Sequence, residues 1–269
     1  MAYQECMAPP ELAEYVDVFW SFEGPGKELD RIVPDGRCEL LIHLGTPYRE
    51  RDQNGRWRTQ PQIVFAGQLT RPLWLTSAGP VAIASARIRP EAAGAIVGRP
   101  ASDMTDQRMS LERIDRVAAA RLQDTLRRSP SLERAGAALA DLLVRRVTAG
   151  GLDQRVRQVV PELDRGTSGS LQSLAERHGI STRQLQRLFA WHVGIPPRLY
   201  LRIRRFRRVF GVLNEHRGTW ARAAAEAGYF DQPELARDFR RFVGCTARQF
   251  HATQSRLSAG LTTARPMSQ

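Results

Sequence analysis

Two segments of this chain follow one pattern. LAERHGISTRQLQRLFAWHVGIPPRLY runs from Leu174 to Tyr200, and AAAEAGYFDQPELARDFRRFVGCTARQF runs from Ala223 to Phe250. Ala175 and Gly179 match Ala224 and Gly228 at an offset of 49. One residue is inserted in the second turn and the offset becomes 50, so that Leu185, Arg187, Phe189, Val193-Gly194 and Arg198 match Leu235, Arg237, Phe239, Val243-Gly244 and Arg248. An internal repeat narrows the choice of fold sharply, because both copies must build the same unit. In each copy a short helix carrying a small Ala ends at a Gly suited to the left-handed C′ position. A tight turn follows, and a second helix opens with a capping pair, Ser181 with Gln184 and Asp231 with Glu234. Leu185, Leu188 and Phe189 share one helical face, as do Leu235 and Phe239. The pattern predicts a helix-turn-helix, whose second helix can enter a DNA major groove.

Between the copies, Leu199, Ile203, Phe206, Phe210 and Leu213 recur at steps of four and three, which predicts one amphipathic helix from Arg198 to Leu213. Its remaining positions carry Arg202, Arg204, Arg205, Arg207 and Arg208. A stiff rod of this kind would hold two reading helices on one side, about 34 Å apart, one DNA turn.

Charge placement agrees. The chain of 269 residues has 40 Lys+Arg and 28 Asp+Glu; residues 1–165 hold 23 and 22 of these, leaving 17 and 6 for residues 166–269. A near-neutral half joined to a strongly basic one suggests a sensor tied to a polyanion binder, with nucleic acid first and an anionic membrane surface second. A solvated basic face and a helical repeat that packs on a partner protein are the plain alternatives. Only Lys27 is a lysine. Arginine forks to guanine and phosphate where lysine cannot, although the arginine bias also runs through the neutral half.

The N-terminal half reads differently. Residues 12–90 break into short strands, with candidates at 38–44, 62–66, 73–76 and 81–88 and a hairpin around Asn54-Gly55. Regular turn signals between short strands predict a small barrel or sandwich. Trp20, Trp57 and Trp74 are expected to fill its core. Helices are predicted at 91–97, along Leu111, Ile114, Ala118 and Leu122, along Leu132, Ala135, Leu139 and Leu142, and along Leu152, Val156, Val159 and Leu163. Gly150-Gly151 marks the expected boundary. The predicted fold is α+β: a β-rich barrel or cupin-like domain with a helical extension over 1–150, an all-α domain of two helix-turn-helix units joined by a long helix over 151–257, and a flexible tail over 258–269.

Residues 153–257 resemble the DNA-binding domain of AraC/XylS-type transcription regulators, on LAERHGISTRQLQRLF, VGIPPRLYLRIRRFRRV, AAAEAGYFDQPELARDF and VGCTARQF. One departure is Cys245-Thr246-Ala247, where the family carries a Thr-Pro pair; Pro196-Pro197 keeps proline in the first copy. The resemblance implies two recognition helices in successive major grooves. It places Arg183, Gln186 and Arg187 of the first, and Gln232, Pro233, Ala236 and Arg237 of the second, toward the groove. Arg183, Gln186, Arg187, Gln232 and Arg237 can pair with base edges, Arg with guanine and Gln with adenine. Pro233 and Ala236 form no such bonds and would read shape or thymine methyls. Ser181, Thr182, Arg198, Arg202 and Arg248 are expected on the DNA backbone. PDG at 34–36, FAGQ at 65–68 and RIRPEAAGAIVGRPASDM at 87–104 resemble the sensor regions found ahead of this domain in part of the family. Such sensors imply a small effector or a homodimer.

Rival chemistries are weakly supported. His43 near Cys38 could bind metal in a cupin-like cavity, but no His or Cys pair has ligand spacing, and no cofactor is expected. Cys6 or Cys38 could accept an alkyl group in an enzyme fused to the same module, yet no Cys/His/Asp constellation accompanies them. The expectation is a non-enzymatic, sequence-specific transcription regulator acting on promoter or operator DNA with RNA polymerase as partner; the alternative is a non-specific or architectural DNA binder. No apolar run approaches the roughly 18 residues of a membrane span. The start Met1-Ala2-Tyr3-Gln4-Glu5 lacks a signal-peptide pattern and the three cysteines are odd in number, which predicts a cytoplasmic protein.

Overall fold

The computed structural model describes residues 2–26, 29–147, 151–166, 169–216 and 220–254; the expected tail over 258–269 and Gly150 lie outside them. Among the described residues the N-terminal half holds ten strands: β1 Ala2–Met7, β2 Val16–Gly24, β3 Asp30–Ile32, β4 Cys38–His43, β5 Arg49–Arg51, β6 Trp57–Thr59, β7 Ile63–Ala66, β8 Leu73–Thr76, β9 Val81–Ile88 and, after helix α1 (Ala93–Val97), β10 Arg108–Ser110. They form two antiparallel sheets, β1-β2-β9-β4-β7-β10 and β3-β8-β5-β6. Neither sheet closes on itself, so the expected barrel is an open pair of sheets. Asn54-Gly55 turns the β5–β6 hairpin as predicted.

The strand pattern explains the burial. In β4, Cys38, Leu40 and Ile42 are buried, while Glu39 between them accepts hydrogen bonds from Trp20, Ser85 and Arg87 on the other face. Period-two alternation in this way puts one face in the core. The tryptophans are not core residues: Trp20, Trp57 and Trp74 are all half-buried. The core is instead made by aliphatic side chains and phenylalanines such as Leu40, Ile42, Phe65, Ala86 and Ile88. Smaller side chains fit the space between sheet and helices, and the indole N–H of Trp20 finds a polar partner at the edge.

The helical extension is α2 Leu111–Ile114, α3 Arg116–Arg128 and α4 Leu132–Val147. The predicted single helix through Leu111 and Leu122 is therefore two. Asp115 sits between them with extended backbone, caps α3 by accepting from the Ala118 N–H at 2.9 Å, and pairs with Arg146 at 2.7 Å. Its short carboxylate competes for backbone donors and stops α2. Leu139 and Leu143 of α4 are buried in the same cluster as the six-stranded sheet.

The C-terminal half is all helix: α5 Gln154–Arg165, α6 Leu171–Arg177, α7 Thr182–Leu188, α8 Pro197–His216, α9 Trp220–Glu226, α10 Gln232–Val243 and α11 Ala247–Gln254. A separate cluster runs from Val159 to Val243. Helix α8 is the predicted rod, longer than expected at both ends; Ile203, Phe206 and Phe210 are buried, with Tyr200 and Val209 beside them, while the side chain of Leu213 lies outside the described residues. Phe206 packs against both Phe210 and Phe239, at ring-centroid distances of 5.2 and 5.4 Å. The linking helix is thus the spine on which the second unit is assembled.

Candidate nucleic-acid interface

Helices α6 and α7 form the first unit, and α9 and α10 the second. The turns repeat in detail. Gly179 and Gly228 both have positive φ, +64° and +81°. The N–H of Ile180 returns to Ala175 O, and that of Tyr229 to Ala224 O, at 3.0 and 2.9 Å. Ser181 makes the full capping box with Gln184. The second cap is half of one. Asp231 accepts from the Glu234 N–H, but the Glu234 carboxylate accepts from the Phe230 N–H at 3.2 Å and from Arg205. The missing Thr-Pro pair is also replaced: Thr246 accepts from the Gln249 N–H at 3.2 Å and its own N–H returns to the Gln249 side chain at 2.9 Å, which caps α11.

Helix α7 buries Leu185 and exposes Thr182, Arg183, Gln186 and Arg187. Helix α10 buries Leu235, Asp238, Phe239, Phe242 and Val243 and exposes Gln232, Pro233, Ala236, Arg237 and Arg240. All five expected base-pairing residues are therefore at the surface. Arg240 was missed by the sequence reading, although it stands one helical step beyond Arg237 on the same face. Of the expected backbone contacts, Ser181, Thr182, Arg198 and Arg248 are exposed. Arg202 is different: its guanidinium pairs with Asp238, which is fully buried.

Arg202 keeps 41% of its side chain exposed, whereas other rod arginines turn further inward. Arg205 pairs with Glu234 and lies 4.2 Å over the Tyr229 ring, and Tyr229 donates to Asp238 at 3.0 Å. Arg204 pairs with Asp164 at 2.8 Å and donates to Asp35 O at 2.9 Å. Burial lowers the pKa of Arg207, opposed by Asp35. Much of the charge that the sequence places on the rod is spent inside the molecule.

Asp35 and Asp164 belong to a seam between the two halves. Arg37 is its centre. It pairs with Asp17 at 2.6 Å and Asp164 at 3.2 Å and faces the Tyr200 hydroxyl, which itself donates to Asp164. Burial opposes the Arg37 charge, but Tyr200, Asp17, Asp164 and Asp35 together raise its pKa. The β half also grips both helix-turn-helix units at residues equivalent in the repeat. Thr105 donates to Gly194 O at 2.6 Å. Arg31, stacked 4.1 Å over Trp74, donates to Val243 O at 3.0 Å and faces Cys245 Sγ at 2.9 Å, while Pro72 lies against Gly244. Gly94 of α1 sits so close to Trp191 O that a Cβ would fall 2.2 Å from it. Only glycine permits that approach.

Glu91, 4% exposed, lies in this seam and burial pushes its carboxyl up to about 7. A raised acid stabilises the fold while protonated, fully so below the ordinary value of 4.5, and the contribution is lost as pH rises toward about 7. Glu91→Gln should then leave stability unchanged at pH 4 and raise it at pH 8 by on the order of 3 kcal/mol. Urea unfolding at both pH values checks this; an equal effect at the two would show that Glu91 does not titrate in that range.

The rival sites look different in three dimensions. His43 is buried, hydrogen-bonds Gln60 at 3.1 Å, and is held down to about 4 by burial. Among the described residues no group of three or more His, Cys, Asp or Glu could hold a metal ion. Burial pushes the Cys38 thiol up, away from the reactive thiolate, and Cys6 is exposed on the edge strand β1. No helix among the described residues is long and apolar enough to cross a membrane.

Two capped helix-turn-helix units on one linking helix define the class: the chain carries an AraC-type helix-turn-helix domain behind a β-rich domain. Residues 174–253 match a family described as helix-turn-helix domain, and residues 4–110 match a domain of unknown function, DUF6597. Among solved structures, the chain is similar to ToxT from Vibrio cholerae strain SCE256 with unsaturated fatty acid bound, at TM-score 0.50 and 9% identity over 90% of this chain and 98% of that one. A second structure of ToxT from Vibrio cholerae gives TM-score 0.48 and 10% identity over 86% and 97% of the chains. The AraC-like transcriptional activator CuxR gives TM-score 0.29 and 14% identity over 70% and 74%. No curated protein sequence matches.

Proposed function

We propose that this protein is a sequence-specific transcription regulator that reads promoter or operator DNA with α7 and α10, under the control of its β-rich half. The observation that carries the reading is the pair of matched units, each presenting exposed arginines on the outer face of its second helix, over a buried core. Arg183, Gln186 and Arg187 read bases from the first unit, and Gln232 and Arg237 from the second. Ser181, Thr182, Arg198 and Arg248 hold phosphates, with Arg202 contributing its remaining exposed edge. Residues 1–150 form the control domain and 151–257 the DNA-binding domain.

Control through the β half is supported by its grip on Gly194, Val243 and Cys245 at once. A ligand or second copy that shifted the β half would alter the spacing of the two readers. ToxT is known with an unsaturated fatty acid bound, so small apolar acids are the first effector class to screen.

Footprinting with excess random-sequence competitor at moderate salt tests the reading. A discrete protected site of roughly two major-groove turns is expected; uniform, salt-sensitive protection would mean a non-specific architectural binder. Arg183→Ala and Arg187→Ala should each weaken operator binding by about 1–3 kcal/mol and relax preference at one base pair. Equal losses on operator and random DNA would make these residues phosphate contacts instead.

A further inference from the structure

The two units are not equivalent where they meet DNA. Ile180 and Tyr229 fill the same buried place after the turn, as their matching hydrogen bonds to Ala175 O and Ala224 O show. Phe230 is therefore the residue inserted in the second copy. It is 95% exposed, directly before the α10 cap, with its backbone N–H tied to Glu234. Past that insertion, Pro233 stands where the first unit has Arg183, and Ala236 where it has Gln186; both are exposed. The second reader has exchanged two hydrogen-bonding side chains for apolar ones and gained an aromatic ring in solvent.

We propose that the second unit recognises thymine C5-methyl groups through Phe230, Pro233 and Ala236, while the first reads hydrogen-bonding edges. The inference rests on the regulator reading above. In the major groove the methyl group is the apolar mark of a base pair, and alanine and phenylalanine side chains match it. Exposed Arg237 and Arg240 on the same helix suit a phosphate-lined groove better than an apolar protein surface. An exposed phenylalanine contributes little to the fold, and this one stands directly before the cap of the helix that carries exposed Pro233 and Ala236.

The test uses the full chain. Sites are enriched from a random-sequence duplex pool, and thymines in each half of the enriched site are then replaced by deoxyuridine, which deletes only the methyl group. Binding should weaken about fourfold for each contacted thymine in one half and stay unchanged in the other. Phe230→Ala should lose the methyl dependence at one position or more, and Phe230→Leu should keep part of it, both with unfolding midpoints equal to the wild type. Indifference of the wild type to every uracil, or the same methyl dependence in Phe230→Ala, would overturn the proposal and leave the regulator reading standing. A pool that yields no motif would overturn both. Loss of binding to a protein partner with methyl dependence unaltered would assign Phe230 to that partner and also overturn the proposal.

Discussion

Replacing Phe239 by alanine should cost about 3–5 kcal/mol, whereas replacing Phe230, nine residues earlier, should stay within about 0.5 kcal/mol. Both are phenylalanines of the second unit, so the contrast isolates the environment. Phe239 is fully buried, with its ring 5.3 Å from Trp220, 5.4 Å from Phe206 and 5.6 Å from Phe250. Removing it leaves a void among rings that are fixed on three helices and cannot collapse together. Edge-to-face contacts are lost as well as apolar burial. Urea unfolding followed by circular dichroism gives both values. A loss below about 1 kcal/mol for Phe239→Ala would mean that this aromatic cluster is looser than its geometry indicates.

Arg37→Ala should destabilise by about 3 kcal/mol and separate the unfolding of the two halves. The side chain is 7% exposed and bridges Asp17 to Asp164, which are 25% and 16% exposed. Without it, the two carboxylates remain in the seam with Arg204 and Arg89 as the nearby cations. Truncating one member of a buried charge cluster strands the others, which costs more than the pair itself contributes. Arg37→Lys should recover part of the loss only, because an ammonium cannot fork between two carboxylates and a phenol. Calorimetry that shows one transition in Arg37→Ala, with stability near that of the wild type, would remove this seam as the coupling element. A variant that unfolds in two steps should also bind DNA with altered preference for the spacing of its half-sites.

Much of the C-terminal half was legible from local pattern. The Gly turns at 179 and 228, the Ser181 box, the buried faces of α7 and α10 and the apolar row of α8 each follow from residues a few positions apart, and helix geometry translates such spacing directly into faces. The resemblance singled out Arg183, Gln186, Arg187, Gln232 and Arg237 as groove-facing, and the structure leaves all of them exposed. Arg240 could have been found by extending it one step. In the β half the hairpin and strands β4, β7, β8 and β9 were visible, but β1, β2, β3 and β10 were not singled out. Part of their pairing joins strands distant in sequence: β2 pairs with β9, and β10 with β7. The split of α2 from α3 turned on Asp115, which caps α3 at the Ala118 N–H and pairs with Arg146, 31 residues away.

The repeat, its caps and the uneven charge thus determined by themselves that this chain builds two helix-turn-helix units. The fate of the rod arginines was decided only by tertiary structure. Sequence shows six arginines on α8 and cannot show that Asp238, Asp164, Glu234 and the Asp35 carbonyl lie against them. These contacts join segments from 29 to 169 residues apart, and chain proximity in sequence carries no information about those. Folding therefore withdraws charge from the spine and leaves Arg183, Arg187, Arg237 and Arg240 exposed on α7 and α10.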